Sequence, residues 1–217
     1  MTILYTVQTN GFIDVKNLSK SELLEIEKIY VNITNRCSCT CTFCIKNYKQ
    51  VDKKESLWLP QEPELEEVIS EFENVDINKC KEIIFCGFGE PLERADEVIE
   101  VCKYIKNVNP EIKIRINTNG LGNLIHGKNI VPSFEGLVDT ISISLNAASK
   151  EKYLEFTRNK FGIESFDAML EFTKECKKYI PNIVLTVVDV IGEEEIAKCR
   201  GICDNLGVTF RVRPRIV

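Results

Sequence analysis

The sequence predicts an α/β fold: a partial (β/α)6 TIM-like barrel of parallel strands preceded by a short N-terminal β-hairpin. Three observations predict it. Runs rich in Val and Ile alternate with longer stretches of helical periodicity, the pattern of a parallel sheet with helical crossovers. Six runs with five crossovers are too few for a closed eight-stranded barrel but suit a curled partial barrel. The residues least suited to a core also follow the strands, where the loops of such a fold converge on an active site.

Taken in order, "YTVQTNGFIDV" (5–15) reads as a hairpin turning at Asn10-Gly11, placed to cap or extend a sheet edge. Strands are expected at 28–35, 81–86, 112–117, 138–145, 182–190 and 208–214. Helices are expected at 61–74, 93–107, 150–157, 164–179 and 193–205, with a shorter one near 123–135 interrupted by Gly127 and Pro132. The last opens at Gly192 with Glu193, Glu194 and Glu195, whose charges suit a helix N-terminus. The chain is expected to be a single domain over 1–217, with 1–27 as an extension and 28–217 as the partial barrel.

Composition narrows the function classes. A net charge of −5 argues against a general nucleic-acid binder, although "RVRPR" (Arg211, Arg213, Arg215) offers a local basic patch for a phosphate or carboxylate. The first residues lack the features of a signal peptide, and no apolar run approaches the roughly 18 residues of a membrane span, so a cytoplasmic protein is expected. Of the ten cysteines, Cys80, Cys86, Cys102, Cys176, Cys199 and Cys203 are scattered through predicted helices and strands. These read as small buried hydrophobes in a reducing cell.

The other four crowd into residues 37–44 of "NITNRCSCTCTFCIKN" (32–47), directly after the first parallel strand. Cys37, Cys41 and Cys44 are spaced C-x3-C-x2-C, with Cys39 inside the first gap. Thiolates this close can converge on a soft metal centre. For a tetrahedral zinc the alternate cysteines are packed tightly and no second knuckle pairs with them, and the C-x2-C-x2-C-x3-C ferredoxin run is absent. An iron–sulfur cluster held by three thiolates fits better and leaves one iron open. Four other strand ends carry polar residues and glycines: "GFGEP" (87–91), "NTNG" (117–120), "SLNA" (144–147) and Asp189. Together with the cysteines they read as one site.

The phrase Cys37-Ser38-Cys39-Thr40-Cys41-Thr42-Phe43-Cys44 resembles the cluster loop of the radical S-adenosylmethionine (SAM) superfamily, and the resemblance runs from about residue 28 to 217. Within it, "NITNRC", "FCGFGEP" and "NTNGLGN" are most similar to the TatD-associated radical SAM proteins. The resemblance implies that Cys37, Cys41 and Cys44 bind a [4Fe–4S] cluster whose open iron is chelated by SAM, while Cys39 is a bystander thiol. It implies that Phe43 lies along the adenine, and that Gly87, Gly89 and Glu90 receive the methionyl ammonium, although Phe88 stands where the family has a glycine. Ser144 and Asn146 resemble the ribose-binding positions, Thr118 and Asn119 approach the methionyl or ribose portion, and Arg213 is a candidate carboxylate partner.

The implied activity is reductive cleavage of SAM to a 5′-deoxyadenosyl radical that abstracts hydrogen from a small-molecule, peptide or protein substrate. The implied electron donor is a low-potential flavodoxin or ferredoxin. The competing expectation is a non-catalytic iron–sulfur or zinc-binding sensor of redox state or metal. His126 and Asp189 are the acid–base candidates, and each reads more readily as an ordinary loop residue than as a catalyst.

Overall fold

Eight strands form one sheet in the order β2-β1-β3-β4-β5-β6-β7-β8 in a computed structural model that describes residues 1–8, 11–47 and 57–215. The strands are β1 (Leu4–Gln8), β2 (Gly11–Asp14), β3 (Lys28–Val31), β4 (Glu82–Phe85), β5 (Lys113–Thr118), β6 (Thr140–Ser144), β7 (Asn182–Val188) and β8 (Thr209–Arg213). From β3 to β8 every neighbouring pair is parallel, and each of the six answers one expected run. The hairpin extends this sheet: β1 pairs antiparallel with both β2 and β3. Gly11 begins β2, whereas Asn10 of the expected turn lies outside the described residues.

The helices are α1 (Lys20–Glu25), α2 (Leu65–Glu71), α3 (Ala95–Val108), α4 (Gly122–His126), α5 (Lys150–Thr157), α6 (Ser165–Cys176) and α7 (Glu193–Leu206). Two differ from expectation. α2 starts later than residue 61 because Pro63 disfavours helical backbone in the residue before it. α1 was not expected, although "SKSE" (19–22) carries its start signal: the Ser19 and Glu22 side chains cap each other's backbone N–H groups. α7 opens on its three glutamates and closes at Gly207, whose φ of +63° is the left-handed backbone that glycine adopts most readily.

Alternation along each strand divides the residues between two faces. Ile29, Val31, Ile83, Phe85, Ile114, Ile116, Ile141, Ile143, Leu185 and Val187 are fully buried, in one cluster with Val98, Val101, Cys102 and Ile105 of α3. Removing such side chains from water contributes about 1.5–3 kcal/mol each, so this helix-covered face holds the fold together. The intervening residues, among them Tyr30, Glu82, Arg115, Asn117, Ser142, Ser144, Thr186, Arg211 and Arg213, lie on the other face and are mostly polar.

That second face is concave. In a flat sheet β3 and β8 would lie about 24 Å apart, five strand spacings. Instead, Arg211 of β8 lies near enough to Tyr30 of β3 to oppose, with Arg115, the rise that burial and then the Cys86 thiol cause in the phenol. Charges that influence one another across the sheet require it to curl, bringing its two margins toward a shared interior.

Candidate functional site

The C-terminal ends of β3, β4 and β5 are tied to one another directly. The loop after β3 runs beside "GFGEP" so closely that neither glycine could carry a side chain. A β-carbon on Gly87 would lie 2.0 Å from Asn32 Oδ1, and one on Gly89 would lie 2.2 Å from the Thr34 carbonyl oxygen. Phe88, in the family's glycine position, is buried with Tyr5 and Leu57 in a small apolar cluster that Tyr30 and Ile45 also join. Sequence reading gave these glycines a cofactor-binding role; the structure adds that they let two loops touch.

That contact delivers Glu90 to the centre. Its N–H donates to the Arg36 carbonyl (2.7 Å), and its carboxylate accepts from Thr118 Oγ1 (2.6 Å), Asn119 N (2.6 Å) and Leu92 N (3.0 Å). Burial, with the Cys37 thiol next, pushes Glu90 up to about 8 against the pull of those donors. The expected ammonium acceptor is therefore also the knot between the loops after β4 and β5. Asn119 completes the circuit, since its Nδ2 donates to Ser38 Oγ (3.1 Å) and to Cys39 Sγ (3.6 Å) in the cysteine loop.

The cysteine loop is held from its other side by the end of α5. Thr40 and Thr42 donate backbone N–H bonds to the Thr157 and Phe156 carbonyls, both at 2.9 Å, and Lys160 N donates to Ser38 O at 2.9 Å. Carbonyls that a helix end leaves unpaired thus fix the loop. Phe43 leans on Phe156, ring centroids 6.3 Å apart.

Within the loop the four thiols divide. Cys39 is buried, whereas Cys37, Cys41 and Cys44 are partly accessible. Hydrogen bonding from the Cys39 thiol lowers Cys37 to about 6 and lowers Cys41, while the same bonds raise Cys39 itself. Burial raises Cys44. By contrast, burial pushes Cys80 and Cys203 up to about 11 and Cys199 to about 12. Cys102, Cys176, Cys199 and Cys203 are buried in the main core, as their scattered positions predicted, but Cys86 departs from that reading. It is only partly buried at the end of β4, where Tyr5 Oη donates to its carbonyl (3.1 Å).

This donor set fits an iron–sulfur cluster. Among the described residues no three or more His, Cys, Asp or Glu side chains are gathered to hold a metal ion. Three partly accessible thiols on one anchored loop are soft donors of the kind that hold iron–sulfur clusters.

The loop after β6 offers a further cradle. Asn146 is buried with a left-handed φ of +57°, and its Oδ1 has no hydrogen-bond partner. An orphaned buried acceptor of this kind points to a missing donor such as a ligand hydroxyl. Ser144, half-buried, ends β6 two residues earlier. Sequence reasoning missed what steadies this loop: Glu195, taken as one of three helix-start acids, is buried and accepts from Ala148 N (2.8 Å) and Lys152 Nζ (2.5 Å). It also missed Arg94, a buried guanidinium that donates to the Ile33 and Pro63 carbonyls (3.0 and 2.7 Å) and to Glu97. No spacing rule marks either one.

The remaining candidates fall elsewhere. His126, at the end of α4, has its Nε2 2.7 Å from the Leu92 carbonyl and so ties that helix to the turn after Glu90. Asp189 is exposed and accepts from Arg215 N at 3.0 Å. Arg213 lies on the concave face with a buried Nε lacking a partner. Burial depresses its guanidinium, Cys86 and Cys41 oppose that change, and Arg211 adds repulsion.

The comparisons with known proteins agree with this geometry. At 31% identity over 188 residues, the chain is similar to the GTP 3',8-cyclase of Corynebacterium glutamicum (strain R), an alignment covering 83% of this chain and 47% of that protein. It is 26% identical over 177 residues to the dual-specificity RNA methyltransferase RlmN of Nautilia profundicola, covering 75% and 46%. The chain spans only 36–55% of the length of the first three such relatives. The fold resembles methylornithine synthase (TM-score 0.61, 14% identity, covering 98% of this chain and 65% of that one). It also resembles SuiB of Streptococcus suis bound to its precursor peptide SuiA (TM-score 0.59, 14% identity, covering 88% and 40%). The family model for the Radical SAM superfamily matches residues 31–200, from the end of β3 into α7, and the chain belongs to that superfamily.

Proposed function

We propose that this chain is a radical SAM enzyme core in which Cys37, Cys41 and Cys44 hold a [4Fe–4S] cluster and the surrounding strand-end loops hold SAM. The observation that carries the reading is the linkage of three loops through Glu90 and Asn119, which ends on the cysteine loop itself. A cluster and SAM bound there supply one-electron cleavage of the sulfonium and hydrogen abstraction from the substrate.

The chain's own residues do the rest. Cys39 keeps its proton, and its single S–H serves Cys37 or Cys41 in turn, which favours their thiolate forms without making it a fourth ligand. Glu90 Oε2 has one hydrogen bond and room for a second, so it accepts from the methionyl ammonium while still holding Asn119. Asn146 Oδ1 and Ser144 receive the ribose hydroxyls, and Phe43 lies along the adenine. Gly87 and Gly89 keep the loops close enough for these groups to act together. Arg213 takes a carboxylate or similar anion. Phe88 and Leu57, buried together, keep water from one side of the interior, where a reactive carbon radical must be shielded.

The motif phrases favour the TatD-associated subgroup, and the continuous sheet favours one domain over 1–217, with 1–27 as its extension. Among the described residues no helix is long and apolar enough to cross a membrane, which accords with a cytoplasmic enzyme reduced by flavodoxin or ferredoxin. The substrate is a small molecule, a peptide or a protein.

The test is SAM binding to anaerobically cluster-loaded protein. Wild type should carry the iron and sulfide of one [4Fe–4S] cluster and bind SAM saturably. Asn146→Ala should keep the cluster and weaken SAM by roughly tenfold, the loss of about one good hydrogen bond. Loaded wild type that binds no SAM would overturn the proposal in favour of the sensor reading.

A further inference from the structure

We propose that Arg211 and Arg213, on the concave face of β8, form a binding site for an anionic group of the substrate, a phosphate or carboxylate. This deepens the function proposed above and rests on it for the word substrate, though not for the anion site itself.

The two arginines alternate with Val212, so strand geometry points both toward the interior while Val212 points away. Their register partners, Thr186 and Val188 of β7, carry no charge. The cations of β3 and β5 on this face are already answered: Arg115 bonds Glu82, which also faces Lys28 at 3.8 Å, and Lys113 pairs with Asp139 at 2.9 Å. No ion pair accompanies Arg211 or Arg213 among the described residues, and the buried Arg213 Nε has no acceptor. A guanidinium kept partly out of water without a counter-charge is costly, and an incoming anion removes that cost.

The curl directs this charge inward. Arg211 acts on Tyr30 across the interior, and Arg213 lies near enough to Cys86 and to Cys41 of the cysteine loop to respond to them. A protein of net charge −5 thus turns two cations without an ion-pair partner among the described residues toward the concave interior of its sheet. Positive charge confined in a concave wall concentrates anions there, and two guanidinium forks match the oxygens of a phosphate or carboxylate. The geometry assigns these arginines to the substrate because β8 is the margin of the sheet, two strands beyond β6, whereas the loops around Glu90 and Asn146, after β4 and β6, supply polar groups for SAM.

Inorganic pyrophosphate is the probe. Its binding to cluster-loaded protein is measured calorimetrically with and without saturating SAM, alongside SAM binding, for wild type, Arg211→Gln, Arg213→Gln, Arg213→Lys and the surface control Lys103→Gln. The proposal expects saturable pyrophosphate binding that persists with SAM present. It expects a loss of at least about tenfold in each Gln variant, partial recovery in Arg213→Lys, and wild-type behaviour in Lys103→Gln. Pyrophosphate that competes with SAM, with Arg213→Gln weakening both equally, would overturn it and give the arginines to the SAM carboxylate. Equal loss in Lys103→Gln would reduce the effect to general charge and also overturn it. If SAM fails to bind while pyrophosphate still needs both arginines, the cofactor reading falls and the anion site stands.

Discussion

The two faces of the sheet are built from the same strands and differ in almost everything else. On the helix-covered face, Ile83, Phe85, Ile114, Ile116, Ile141 and Ile143 are fully buried in one apolar cluster. On the concave face, the residues between them include Arg115, Asn117, Ser142 and Ser144, half-buried or polar. A closed barrel of this topology would fill its interior with branched aliphatic side chains. Here the interior is polar, so stability is concentrated on one face and the other is free to carry chemistry. A strand with a period of two can serve both ends at once.

Substitutions can break that division or sharpen it. The largest effect on stability belongs to the covered face. Phe85→Ala should cost about 3–5 kcal/mol in denaturant unfolding, because it empties a fully enclosed site. A cost below about 1 kcal/mol would mean that this face does not hold the fold. Gly89→Ala comes next. Its β-carbon would meet the Thr34 and Arg36 carbonyls, so the two loops must part, at about 1–3 kcal/mol and with weaker SAM binding. Unchanged stability and SAM affinity would show that the contact is dispensable.

Glu90→Gln should cost about 1–3 kcal/mol, since an amide cannot accept on both sides from Thr118, Leu92 and Asn119. SAM affinity should fall with it. Loss of affinity at full stability would leave Glu90 with the ammonium role alone. The smallest effect is expected on the concave face: Arg211→Gln should change stability by no more than about 0.5 kcal/mol, because this exposed side chain has no ion-pair partner among the described residues. A large loss there would erase the distinction between the faces.

Much of this was legible in the sequence, and for identifiable reasons. Five of the six parallel strands lie within their expected runs and β5 passes its run by one residue, Thr118, because branched residues and alternation mark buried strands strongly. The cysteine loop announced itself by density, and the strand-end glycines by position. What could not be read is what depends on distant contact. Gly89 is required by a carbonyl at residue 34, Arg94 serves carbonyls at 33 and 63, and Glu195 steadies a loop 47 residues before it. Cys86 was misread because its neighbours in sequence suggest a core strand, while the register turns it toward the polar interior. The short α1 has a clear capping signal, but its few apolar residues gave no periodicity to notice.

The most direct test of the central claim is production of 5′-deoxyadenosine by anaerobically reconstituted protein given SAM and dithionite, followed by mass spectrometry in wild type, Cys39→Ala and Cys41→Ala. The account predicts deoxyadenosine from wild type and from Cys39→Ala, and none from Cys41→Ala. A wild-type protein with a full cluster that binds SAM and yields none, or a Cys41→Ala variant as active as wild type, would contradict it.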